Sequence, residues 1–325
     1  MKLRDLGERK AVELIWDILG DRGIKIAVKD DCAALDLGDE YLLVTTDMIS
    51  EHAHIPEKAK PWQVGWHLVA INLSDIAAMG GEPFGVVVAL GLPDNYEVDY
   101  LEKMIEGMRA CALNFNTTIL GGDTKETKTV TLSGCAIGRV AKTEIMLRKG
   151  AKPGDVVSVT GELGRAASAY HALKNNPDDE NAVKGLMEIN PRIKEGIALS
   201  KTGVVNACMD ISDGLASSIH QLGLLNDIAF QLDFNQIPVS NEAKAMSKKM
   251  NMPIEELAIY FGGDYELLVT LDKDGLDRAQ KALSEIGTKL SPIGRVLKDK
   301  ENILIRDDVS SFLENRGFEH FRRIP

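Results

Sequence analysis

Aspartates recur beside glycine, serine or threonine along the whole chain, as Asp30-Asp31, Thr45-Thr46-Asp47, Ser74-Asp75, Gly121-Gly122-Asp123, Asp210-Ile211-Ser212-Asp213 and Gly262-Gly263-Asp264. Most stand where an apolar, strand-like run ends. Carboxylates beside small residues suit a site where several Mg2+ ions meet a polyphosphate. Mg2+ is a hard ion that keeps most of its waters and takes one or two carboxylates plus phosphate oxygens. The small neighbours let backbone N–H groups and a bulky anion approach closely.

Taken singly, each cluster has a plainer reading. Asp30-Asp31 is also what a turn uses. Thr45-Thr46-Asp47 follows Leu42-Leu43-Val44, so two hydroxyls and a carboxylate emerge at an expected strand end, either as oxygen ligands or as a strand cap. Asp75 lies in the apolar run Val69 to Met79, where a charge is costly unless paired, and a metal is one partner. Asn72 shares its face at spacing three, which also fits an exposed stripe. Gly121-Gly122 before Asp123 allows close approach to a phosphate. Asp210 to Gly214 joins a strand to a helix, where N-terminal N–H groups favour an anion or ordinary capping. His52 and His54 form an HxH pair without a third ligand for zinc, so His54 reads as a phosphate or substrate contact. His67, His171, His220 and His320 read as structural or exposed. Gly161 to Gly164 could seat an anion or be a simple turn. Together the acidic clusters outweigh these separate readings. There is no GxxxxGK[ST] phosphate loop, no dinucleotide GxGxxG after a strand and no protein-kinase signature.

Two α/β blocks must position these residues. In the first, helices are expected at Glu8 to Leu19, Pro61 to Met79 and Val98 to Asn114. Strands are expected at Cys32 to Leu37, Tyr41 to Thr45, Phe84 to Leu90, Thr117 to Leu120 and Val130 to Val140. The turn Ala151 to Asp155 marks a boundary between domains 1–149 and 150–325. The second block holds strands at Val156 to Thr160, Asn206 to Met209, Ile228 to Leu232, Glu266 to Leu271 and Asn302 to Ile305. Its helices follow Gly164 and cover Pro191 to Lys201 and Leu215 to Leu225, and Asn175 to Asn181 reads as an exposed loop.

A chain of 325 residues is long enough for two cores. Its net charge of −11 argues against nucleic acid or an anionic membrane as partner and leaves bound cations to attract an anionic substrate. Cys32, Cys111, Cys135 and Cys208 lack CxxC spacing, and the charged start lacks the apolar run of a signal peptide. The longest apolar stretch, around Phe84 to Leu92, is too short to span a bilayer. These features fit a cytoplasmic protein.

The ordered set of motifs resembles the thiamine-monophosphate kinases. The segments are Asp30 to Ala33, Thr45 to Met48, His54, Asn72 to Gly81, Gly121 to Thr124, Asp210 to Leu215, Asp264 to Leu267 and the closing Gly317 to Phe321. The resemblance implies an α+β, two-domain fold like that of aminoimidazole-ribonucleotide synthetase, and a homodimer paired through N-terminal sheets. It implies ATP as co-substrate, thiamine monophosphate as acceptor and several Mg2+ ions per site. Carried over by motif, Asp30, Thr45, Thr46, Asp47, Asp75, Asp123, Asp210 and Asp213 look like Mg2+ ligands. Gly122, Asp123, Arg148 and Ser212 look like nucleotide contacts, and His54 and Phe318 look like substrate contacts. Asp75, Asp210 and Arg148 are the expected catalytic residues. The family's substrate-contacting Glu falls at Gly263 here, and Phe318 stands where relatives have Tyr or Trp. Two alternatives are a related ATP-dependent synthetase and a nucleotide sensor without catalysis. Residues 1 to 29 and the closing Phe321 to Pro325 lack the cysteines that two such synthetases use.

Overall fold

The computed structural model describes residues 2–20, 26 and 29–321. Its first half contains helices α1 (Leu3–Leu6), α2 (Glu8–Leu19), α3 (Glu51–His54), α4 (Pro61–Ala78) and α5 (Val98–Asn114). With them come strands β1 (Ala33–Asp36), β2 (Glu40–Ser50), β3 (Glu82–Leu92), β4 (Ile119–Glu126) and β5 (Thr131–Ala141). The second half adds β6 (Val156–Thr160), α6 (Arg165–Asn175), α7 (Glu180–Met187), α8 (Ile193–Thr202), β7 (Val205–Asp210), α9 (Leu215–Asn226) and β8 (Ala229–Asp233). It closes with α10 (Asn241–Met250), α11 (Ile254–Ala258), β9 (Leu267–Leu271), α12 (Leu276–Ser284), β10 (Leu290–Leu297), β11 (Ile303–Arg306) and β12 (Val309–Phe312).

The strands form two mixed sheets, ordered β1-β2-β5-β3-β4 and β12-β11-β8-β10-β6-β9-β7. The chain is thus a two-domain α+β protein. Helix α4 lies between the halves, packing on β2, β3 and β5 on one side and on α5, α8 and β7 on others. Its sequence explains this. Pro61 opens it, Gly80 at φ +72° ends it, and apolar residues surround nearly the whole circumference, as a helix buried on several sides requires. Leu68, Leu73 and Ile76 are fully buried, each worth about 1.5–3 kcal/mol. Among the described residues no helix is long and apolar enough to cross a membrane.

The first sheet has one covered and one open face. Along β2, buried Leu43 and Thr45 and half-buried Asp47 face α4, while Thr46 and Met48 between them are exposed. Along β3, buried Val86, Val88 and Leu90 alternate with exposed Val87 and Ala89. Leu35 on β1, Phe84 on β3 and Leu120 on β4 add exposed apolar surface to the same sheet.

Several expectations needed correction. Thr45 to Asp47 lie inside β2 rather than at its end, because β2 pairs with β5 along its whole length. Gly121 to Asp123 likewise lie inside β4, an edge strand paired parallel to β3. The segment expected as a loop from Asn175 to Asn181 ends in α7, whose start is capped by the Asp179 carboxylate accepting from Ala182 N at 3.0 Å.

Candidate active site

Four segments bring acids to the cleft between the halves: the turn before β1, the middle of β2, the inner face of α4 and the end of β7. Oxygens of Asp31, Asp75 and Asp210 all lie within 4.8 Å of one another. Thr45 Oγ1 donates to Asp75 Oδ2 at 2.5 Å, and Ser74 Oγ donates to Asp210 Oδ2 at 2.6 Å. Asn72 fixes the strand beside them. Its Oδ1 accepts from Asp47 N at 3.0 Å and its Nδ2 donates to Leu68 O at 2.8 Å. Gly134 makes room for this amide, since a Cβ there would come within 2.4 Å of Asn72 Nδ2.

Electrostatics mark the cluster as short of positive charge. Burial first, and then the neighbouring acids, push Asp210 up to about 7 and Asp47 up to about 6. Asp75 is driven well above the carboxylate range by burial and by Asp47, Asp210 and Asp31. Asp30 is raised to about 7 by burial and by Asp31. Against these stands Arg148, ion-paired to Asp31 and largely buried. Asp31 Oδ2 and Arg148 Nε are buried without a hydrogen-bond partner among the described residues. Convergent hard oxygens with an orphaned carboxylate oxygen are what a divalent cation would satisfy, so the donor set fits Mg2+.

The convergent set differs from the expected one. Asp31, not named among the expected ligands, faces Asp75 and Asp210, whereas Asp30 turns back and accepts from Arg148 N at 3.0 and 3.2 Å. Thr46 lies on the open face of the sheet, donating to Gly134 O at 2.7 Å. Asp123 aligns with exposed Ala89 on that same face and pairs with Lys125 at 3.4 Å. Across the order β2-β5-β3-β4, Thr46 and Asp123 are three strand spacings apart, roughly 14 Å, too far to share one ion within one chain. Gly122 sits beside Asp123 on β4, outside the acidic cluster.

A second wall is built from the C-terminal half. The loop 210–214 is laced to 261–266 by Ile211 N to Glu266 O at 2.8 Å, Tyr265 N to Ile211 O at 3.0 Å and Gly263 N to Ser212 O at 2.7 Å. Phe318 N donates to Asp213 O at 3.0 Å, which brings the chain's end to the same loop. Asp213 is raised to about 6 by burial and by Glu8 of α2. Helix α2 is tied there by polar bonds. Glu8 Oε2 accepts from His320 N at 2.8 Å, and Arg9 donates to Ser217 Oγ at 2.8 Å and Asn315 Oδ1 at 2.9 Å.

Aromatic rings gather at this wall. His320 lies 5.1 Å from His54 and 4.7 Å, edge-on, from Phe318. His54 Nδ1 accepts from Ser50 N at 3.2 Å, so the neutral ring carries its proton on Nε2. Burial and His320 hold the His54 pKa below its ordinary value. Nothing in the spacing of His320 distinguished it; only the fold joins it to His54. Trp66 is committed elsewhere, donating to Ile189 O at 2.8 Å and packing on Trp62. The anion seat considered at Gly161 to Gly164 is filled by the protein itself. Gly164 N at 2.6 Å and Ala166 N at 3.1 Å both donate to the Asp264 carboxylate.

Comparison with known proteins is consistent with this architecture. Residues 29–140 match the AIR synthase related protein, N-terminal domain, and residues 152–307 the corresponding C-terminal domain. The thiamine-monophosphate kinase of Methanospirillum hungatei is 33% identical over 282 residues, 87% of this chain and 92% of that one. That of Pyrococcus horikoshii is 33% identical over 297 residues, 91% of each chain. The structure of AaThiL complexed with AMPPCP and TMP superimposes with a TM-score of 0.86 at 27% identity, over 98% of this chain and 99% of that one. By these matches and the acidic cleft between its two sheets, the chain belongs to the thiamine-monophosphate kinases, phosphotransferases of the AIR synthase related family.

Proposed function

We propose that the cleft transfers the γ-phosphoryl group of ATP to the phosphate of thiamine monophosphate, giving ADP and thiamine diphosphate. The observation that carries this reading is the convergence of Asp31, Asp75 and Asp210 beside Arg148. The acceptor is a phosphate monoester whose second ionisation lies near pH 6, so its oxygen is already anionic at neutral pH. No general base is needed. The difficulty is to hold two polyanions in line, and positioning with charge neutralisation lowers that barrier.

Asp31, Asp75, Asp210 and Thr45 would hold Mg2+, with Asp30, Asp47 and Asp213 around them. Bound Mg2+ would supply the positive charge that the phosphates and these acids share. Arg148 adds a fixed cation at the Asp30-Asp31 turn, and Ser212 in the loop after β7 would contact the nucleotide. His54 offers Nε2–H to the substrate, and Phe318 with His320 gives an aromatic surface for a thiamine ring. We assign Thr46, Gly122 and Asp123 to a composite site completed by sheet-to-sheet pairing of two copies. The place of Thr46 and Asp123 on the open face of the first sheet, beside exposed Met48, Val87 and Leu120, supports this, and Gly122 adjoins Asp123 on β4.

The test is to incubate the purified protein with ATP, Mg2+ and thiamine monophosphate, with free thiamine and aminoimidazole precursors as parallel acceptors. The products are then resolved by chromatography. Stoichiometric thiamine diphosphate and ADP are expected. ATP consumed only with another acceptor, or bound without turnover, would replace this reading with the synthetase or the sensor.

A further inference from the structure

Tyr265 holds a backbone conformation that bulky side chains avoid, with φ +51°. Both neighbours keep it there. On one side Asp264 is gripped by Gly164 N and Ala166 N. On the other, Glu266 accepts from Thr160 Oγ1 at 2.7 Å and from Arg192 Nε and Nη2 at 2.6 and 2.5 Å. The Tyr265 amide is itself bonded to Ile211 O. A residue pinned on three sides in a disfavoured region is over-determined by its surroundings, and such residues concentrate at functional sites.

The side chain has a polar end that the protein leaves unused. The half-buried ring packs against the core that contains α4 and meets His67 edge-on at 6.3 Å. Tyrosine hydroxyls in such positions usually find a partner. This one makes no hydrogen bond to any described residue. Burial, then the charges of Asp47, Asp210, Asp213 and Asp75, hold it protonated well above its ordinary range, so it remains a donor. Asp213 touches the segment carrying Phe318, and His67, which meets the Tyr265 ring, feels the charge of His54, so Tyr265 stands between the acidic cluster and the wall formed by His54 and Phe318.

We infer that Tyr265 is a substrate-binding residue whose hydroxyl donates a hydrogen bond to the phosphate of the acceptor monoester. This rests on the phosphoryl-transfer reading above. Tyr265→Phe removes the donor while keeping the ring, its packing and the backbone conformation. KM for thiamine monophosphate is expected to rise about tenfold, the loss of one hydrogen bond to a charged group. KM for ATP, the Mg2+ response and the thermal midpoint should match wild type. An unchanged KM for thiamine monophosphate would overturn the assignment, as would an effect confined to ATP or Mg2+. If the wild type makes no thiamine diphosphate, the functional reading fails instead. Calorimetric binding of thiamine monophosphate to wild type and Tyr265→Phe, with Mg2+ present, then decides the tyrosine separately.

Discussion

Ser74 on α4 donates from Oγ to Asp210 Oδ2 on β7 at 2.6 Å, so one side-chain hydrogen bond joins the two halves at the floor of the cleft. This bond lowers the proton affinity of Asp210, against burial and Asp31, which raise it. Ser74→Ala therefore lets protons compete better with Mg2+. The Mg2+ concentration for half-maximal rate should rise about tenfold. The deficit should be larger at pH 6.5 than at pH 8. An identical Mg2+ titration for the two proteins would show that Ser74 plays no part in holding Asp210.

The raised carboxylates make a thermodynamic prediction for the metal-free protein. Asp30 and Asp210 titrate near 7 and Asp47 and Asp213 near 6 in the folded chain, against an ordinary value of 3.8. Between those values the folded state binds more protons than the unfolded one, so stability falls as pH rises from about 4 through 7. In chelator, the urea midpoint should be higher at pH 5.5 than at pH 8, and Mg2+ should narrow the gap. Asp75→Asn removes a carboxyl that burial and the neighbouring acids make costly to ionise in the folded chain, so it should raise the metal-free midpoint at pH 8 while cutting turnover by about 10²–10³-fold. Stability that climbs with pH in chelator would contradict this account.

Gly263, where the motif resemblance implies a substrate-contacting Glu in relatives, has φ +96°. A Cβ there would lie 3.1 Å from Ala166 Cβ. Gly263→Glu should therefore cost about 1–2 kcal/mol of stability through backbone strain, without lowering KM for thiamine monophosphate. Denaturant unfolding together with steady-state kinetics checks both parts. A stable variant with a lower KM would mean that the loop accepts the carboxylate after all.

Val87 is exposed on the open sheet face, in the row containing Thr46 and Cys135. If that face pairs with a second copy, Val87→Asp should give a monomer in sedimentation, with circular dichroism unchanged and turnover reduced by at least about tenfold. A fully active monomer would remove Thr46 and Asp123 from the site.

Buried periodic elements were the legible part of the sequence. Val98 to Asn114 and Val156 to Thr160 form the elements expected of them, and α4 differs only at its last residue. Helices α10 and α12 went unread although Ala243, Met246 and Met250, and Leu276, Ala279 and Leu283, recur at helical spacing, because each stripe is narrow among charged residues; β10 contains Pro292, which argues against a strand until the bulge between Pro292 and Gly294 is seen. At the site, the acidic motifs were visible but their directions were not. Asp30 and Asp31 are adjacent in a turn, and only tertiary packing turns Asp31 inward. Thr46 and Thr45 differ by one residue, which on a strand means opposite faces.

The three clustered carboxylates stand at positions 31, 75 and 210, so the last is synthesised long after the first two. During translation the N-terminal half emerges with Asp31 and Asp75 but without β7 or Ser74's acceptor. Domains tend to fold as they leave the ribosome. An unfinished chain would then present a partial ion site that cannot close, and a cation bound by the finished protein would tie segments far apart in sequence, as a removable cross-link does. Competence for chemistry is in this way reserved for the completed polypeptide.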